Sequence, residues 1–178
     1  MKNRSYKKII AAVCGLIITA AFIAAVFLNY IFLPLYSHTP DRVFHDEADD
    51  ITIEKLGRAI TVSTPDGQIW SLEKNVKVQD FLYEDIDHDG KRDIMILCWK
   101  RGKYGEHRPS WVRHDELNWS QHIFIYRIDK GKVIPRWMAS DMGVRAASWE
   151  YKDDMLYITA PKGEVTKWKW IHWGLEKM

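Results

Sequence analysis

No Asp or Glu precedes Asp41, so the only ionised side chains of the first forty residues are Lys2, Arg4, Lys7 and Lys8. Cysteine is scarce as well: Cys14 lies in an apolar run and Cys98 in an apolar strand pattern, which excludes a disulfide framework. There is no Gly-x-Ser-x-Gly elbow, no two-histidine helical zinc motif and no phosphate-cradling glycine loop. Beyond the first apolar run, no segment keeps a helical period. Bulk basicity is missing too, because 26 Lys and Arg face 24 Asp and Glu. Removing the four leader cations leaves the rest slightly acidic, and a nucleic-acid partner is not expected.

What the amino-terminal part does contain is a stretch without charge from Ile9 to Leu28, extended by Tyr30 to Leu33. At helical rise that run is long enough for a hydrocarbon core of roughly 30 Å. The expectation is therefore a cytoplasmic basic leader over 1–8, a transmembrane signal-anchor over 9–36 inserted in the lipid bilayer, and a single-pass protein of the plasma membrane. A cleaved signal peptide is the alternative, with small residues at 21–25. Residues 37–50 are acidic and hold Pro40, which reads as a linker; a metal cluster of His38, His45, Asp46, Glu47, Asp49 and Asp50 is the sharper reading of the same stretch.

From Ile51 the pattern becomes short apolar runs divided by turn residues. Thr64-Pro65-Asp66-Gly67 separates 59–63 from 68–72, Asp129-Lys130-Gly131 separates 122–128 from 132–139, and Pro161-Lys162-Gly163 separates 155–160 from 165–173. Residues 93–100 read as a largely buried strand. The expected fold is mainly β, a transmembrane helix followed by one extracytoplasmic antiparallel β domain over 51–178. Nine tryptophans supply bulk for such a core.

The densest chemistry lies at Asp85-Ile86-Asp87-His88-Asp89-Gly90-Lys91-Arg92-Asp93. Alternating carboxylates repel one another unless a cation sits among them, and a hard dication, calcium, suits oxygen ligands at this spacing. Asp85, Asp87, Asp89 and Asp93 fall at positions one, three, five and nine; Gly90 allows the bend, and the Lys91 carbonyl can fill position seven. The twelfth position is Ile96 rather than a bidentate Glu, which excludes an EF-hand. A solvated acidic turn without an ion is the alternative. This loop followed by an apolar strand resembles the calcium loop of FG-GAP or VCBS-type repeats, the blades of integrin-α-like β-propellers. The resemblance implies calcium on Asp85, Asp87, Asp89, Lys91 and Asp93. It also implies propeller-blade-like sheets in which the entering strand, 93–100, 122–128 and 132–139 form one four-stranded unit.

Between two of those strands lies an insertion rich in aromatic and basic residues: Arg101, Tyr104, His107, Arg108, Trp111, Arg113, His114 and Trp119. Long loops often carry function, and this mixture suits a polymer or a protein partner. The expected function is thus a calcium-stabilised binding module on a bacterial cell envelope, facing an envelope polymer or protein, rather than an enzyme. The alternative is a membrane-tethered hydrolase that uses His114 with Asp115 or Glu116 in the same loop.

Overall fold

The structure, a computed structural model, describes residues 13–24, 33–102, 118–139 and 142–178. The chain divides into two units, Met1–Pro34 and Leu35–Met178. In the first, a helix covers 13–24. Among the described residues no helix is long and apolar enough to cross a membrane. The expected signal-anchor over 9–36 is corrected on that ground, and the single-pass plasma-membrane placement that rested on it falls with it. Residues 9–12 and 25–32 of that stretch lie outside the described residues, and Leu35–Ser37 forms a single 3-10 turn.

The second unit is built from twelve strands in three antiparallel sheets. β1 (Arg42–Asp46), β2 (Ile51–Leu56), β3 (Ala59–Thr64) and β4 (Gly67–Ser71) pair in chain order. β5 (Lys77–Glu84), β6 (Asp93–Lys100), β7 (Ser120–Asp129) and β8 (Lys132–Met138) do the same, and so do β9 (Ser148–Lys152), β10 (Met155–Thr159), β11 (Val165–Ile171) and β12 (Gly174–Lys177). The turns follow from local chemistry. Pro65 presets the β3–β4 bend, and Lys130 and Gly131 both take positive φ between β7 and β8, the geometry of a hairpin turn whose twist matches its strands. β1 falls inside the stretch expected to be a linker. It pairs with β2 from Arg42↔Lys55 to Asp46↔Ile51.

The middle sheet is covered on both faces. Val78, Phe81, Tyr83, Ile94, Ile96, Cys98, Phe124 and Tyr126 pack against Ile51, Ile53, Ile60 and Val62 of the first sheet. Met95, Leu97, Ile123 and Ile125 pack against Trp149, Leu156, Ile158 and Trp168 of the third. β6 is therefore buried at seven of its eight positions, which is why its sequence is a continuous apolar run rather than an alternation. The outer sheets do alternate. On β11, Trp168 turns inward while Lys167 and Lys169 are exposed, and on β9 Trp149 is buried between exposed Ser148 and Glu150. These alternating, partly charged faces suit solvent rather than a further sheet. The propeller-like expectation is corrected accordingly: the described residues form three stacked four-stranded sheets, and no propeller is found among them.

Polar atoms stitch these layers together. The Gln79 side chain accepts hydrogen bonds from Trp99 Nε1 at 2.7 Å and Gln121 Nε2 at 2.8 Å, and donates to the carbonyls of Ala146 and Ala147 at 3.1 and 3.3 Å. Gln121 Oε1 receives the Ala146 N–H. The buried Lys55 ammonium donates to the carbonyls of Thr39 and Pro40, both at 3.0 Å, and burial pushes its pKa down. Arg58 donates to the Ser37 carbonyl at 2.8 Å. Residues 37–40 are thereby tied to the first sheet.

One glycine contact gives a direct test of packing. A Cβ on Gly174 would lie 2.6 Å from the Trp137 indole nitrogen, and Trp137 is itself packed edge-on to Trp170 at 6.3 Å. Gly174→Ala is expected to cost about 1–3 kcal/mol by overpacking, measured by urea unfolding. An unchanged midpoint would mean that Trp137 swings away freely.

Candidate functional site

The acidic loop joins β5 to β6 at one end of the middle sheet. Asp85 caps it: its two carboxylate oxygens accept the N–H groups of Asp89 and Gly90 at 3.1 and 2.9 Å. Asp89 accepts the Lys91 N–H at 3.0 Å, and Gly90 takes φ 84°, where a side chain would be strained. Ligand oxygens of Asp85, Asp87 and Asp89 all lie within 4.8 Å of one another. That spread suits oxygens around one calcium held at about 2.3–2.6 Å from each. Among the described residues this is the only such group of metal-ligating side chains. The stretch 38–50 offers none: His45 Nδ1 meets Thr52 Oγ1 at 3.1 Å, and Asp46 pairs with Arg92 at 3.4 Å.

Asp93 stands apart from that trio. It is buried on β6 opposite Arg127 of β7, and both its oxygens take hydrogen bonds from the guanidinium, from Nε and from Nη2, each at 2.8 Å. The same guanidinium reaches Asp87 at 3.1 Å and also binds Asp89. Arg136 of β8 binds the other oxygen of Asp87. Three carboxylates hold Arg127 firmly protonated, with Asp93 the strongest influence. Burial pushes the Asp93 carboxyl up against the pull of Arg127, whereas the hydrogen bonds from Arg127 and the Lys91 N–H outweigh burial at Asp89 and hold it below the usual carboxylate range. Four aspartates facing two arginines leave a formal excess of two negative charges.

Arg127 was not among the residues singled out from the sequence, and the signal for it is register. Arg127 lies opposite Asp93 once β6 and β7 are paired, and Arg136 follows one strand further.

The opposite end of the sheet opens into a groove of about 620 Å³. Trp70 from β4 and Tyr126 from β7 form part of its lining with ring centroids 4.8 Å apart, beside Phe124 and Met138. Ser71, Glu73 and Lys100 add polar groups, and the Lys100 ammonium lies 5.6 Å from the Phe124 ring. A register shift between Ile125 and Tyr126, with Pro135 opposite Tyr126, makes β8 irregular here. Pro135 is the legible sign of that, since proline within a sheet marks an edge strand or a bulge. Size and lining fit a pocket with mostly apolar walls and a few polar anchors.

The insertion leaves and returns at this same end. Lys100 pairs with Ser120 in the ladder, and the Arg101 guanidinium lies 4.7 Å from the Trp119 ring centroid, closing the stem. Tyr104, His107, Arg108, Trp111, Arg113 and His114 lie outside the described residues. His122 has both ring nitrogens engaged, one with the Ala139 carbonyl at 2.9 Å and the other with Ser120 Oγ at 2.8 Å, so it serves packing rather than chemistry. The chain matches no family model, no curated protein and no solved structure.

Proposed function

We propose that the protein is a binding module whose ligand lies in the groove between β4 and β8. The observation that carries this reading is the part-exposed Trp70 ring, backed by buried Tyr126 at 4.8 Å between centroids, in a groove of about 620 Å³ with polar groups around it. Aromatic faces take the C–H face of a sugar ring, while Lys100, Glu73 and Ser71 offer partners to its hydroxyls, so the ligand class is a neutral polysaccharide. A binding titration of the full chain with cellohexaose and chitohexaose, followed by tryptophan fluorescence, tests this. Saccharide binding that weakens about tenfold or more in Trp70→Ala, with the near-ultraviolet circular dichroism retained, is the expected result. Equal binding by the variant, or none by the wild type, removes the reading.

The acidic loop supports a separate role, in which Asp85, Asp87 and Asp89 take calcium as a structural clip. The convergence of the three carboxylates and the residual charge of two favour it. Calcium at about ten times its dissociation constant would raise Tm by roughly 3–5 °C. Asp85→Asn is the variant of choice, because Asp85 alone of the trio makes no ion pair with an arginine among the described residues and Asn keeps one oxygen to accept an N–H. A wild-type Tm indifferent to calcium would end the assignment.

A further inference from the structure

We propose that Arg127 is the loop's permanent counter-ion, so that the acidic loop closes on a guanidinium and needs no metal to fold. Four carboxylates within nine residues cannot be brought together in a partly buried loop without positive charge among them. The structure supplies that charge from within the chain. Arg127 comes from near the end of the neighbouring strand, its side chain is only 7% exposed, and its three nitrogens reach Asp87, Asp89 and Asp93.

The planar fork suits this task in a way that a point charge does not. Nε and Nη2 meet the two oxygens of Asp93 in parallel, which fixes the guanidinium plane against β6 and aims Nη1 and Nη2 at the loop. Three of the four aspartates are thereby held by one group, and the fourth, Asp85, is occupied with the backbone N–H groups of Asp89 and Gly90. Arg136 adds a second cation on Asp87 from a more exposed position. Each loop element thus has a partner supplied by the protein itself. Any ion taken up by Asp85, Asp87 and Asp89 adds to a loop that is already formed. A metal-dependent loop of this spacing would unfold locally on chelation; this one would not.

The experiment compares the full chain with Arg127→Met, Arg127→Lys and the double variant Arg127→Met/Asp93→Asn, each with and without excess EDTA, by thermal unfolding. The expected result is a wild-type Tm that EDTA lowers by no more than the roughly 3–5 °C calcium adds, and a fall of roughly 10 °C or more in Arg127→Met, because the buried Asp93 carboxylate is left uncompensated. Arg127→Lys falls less, since charge remains without the fork. The double variant recovers part of the loss by removing one of the orphaned charges, and it keeps the test open if Arg127→Met does not fold. The proposal is overturned if EDTA costs the wild type as much as Arg127→Met does, or if the double variant is no more stable than the single one. The calcium assignment fails on a different result, the absence of any calcium shift in the wild type, so the two readings are separable.

Discussion

Trp99→Ala is expected to lower the stability of the β domain by about 4 kcal/mol, near the upper range for loss of a large core side chain. Trp99 is fully buried near the end of β6, flanked by Tyr36 at 6.1 Å between ring centroids. Truncation opens a large cavity that rigid strands on either side cannot collapse into, because β6 is hydrogen-bonded to both β5 and β7 along its whole length. It also deletes the indole N–H that donates to Gln79 Oε1 at 2.7 Å. Gln79 keeps its bond from Gln121, so the polar part of the loss is the smaller one. Trp99→Phe separates the two contributions: it keeps most of the volume, loses the donor and is expected to cost about 1–2 kcal/mol. Equilibrium urea unfolding gives both numbers. If Trp99→Phe costs as much as Trp99→Ala, the polar network rather than packing holds this junction.

The junction also shows why part of the fold was legible and part was not. Strand β6 was read with its observed bounds because a double-sided strand writes itself as an apolar run between an acidic turn and a basic end. The β3–β4 and β7–β8 hairpins were readable from Pro65-Asp66-Gly67 and Lys130-Gly131, where turn geometry demands those residue types. β1 was not, because Arg42–Asp46 is a short edge strand with one half-buried aromatic, Phe44, and reads as charged coil. What makes it a strand is long-range: Lys55 and Arg58 pull 37–40 onto the sheet through backbone carbonyls. β9 and β12 are equally short edges, at the two sides of the third sheet.

The same distinction separates the two sites. The convergence of Asp85, Asp87 and Asp89 follows from alternation within one loop, so local spacing was sufficient. Asp93 falls outside that group and meets Arg127 from β6. Arg127 is 34 positions away in the chain, and its role depends on which strand lies beside β6 and in which register. The groove depends on register still more. Trp70 lies 56 positions before Tyr126 in the chain, so no local window of sequence contains the aromatic pair. The described ends of the aromatic and basic insertion, Lys100 and Gly102, border the groove without forming its aromatic wall. The amino-terminal run is corrected on other ground, since among the described residues no helix is long and apolar enough to cross a membrane.

Asp93→Ala is expected to cost about 3–5 kcal/mol, the range for removing one partner of a buried ion pair. The carboxylate is 1% exposed and takes two parallel hydrogen bonds from Arg127. Without it the guanidinium loses the contact that fixes its plane, and Asp87 and Asp89 alone cannot satisfy Nε from the loop side. Asp93→Asn keeps the shape and one acceptor oxygen, so about half the loss is expected. The decisive comparison is a double-mutant cycle with Arg127→Met, measured by urea unfolding. If the two side chains act as a unit, Arg127→Met costs much less in the Asp93→Ala background than in the wild type, and the coupling exceeds about 2 kcal/mol. Additive losses would mean that Asp93 is held by its strand and not by Arg127. The guanidinium would then be a neighbour of the loop rather than the charge on which it closes.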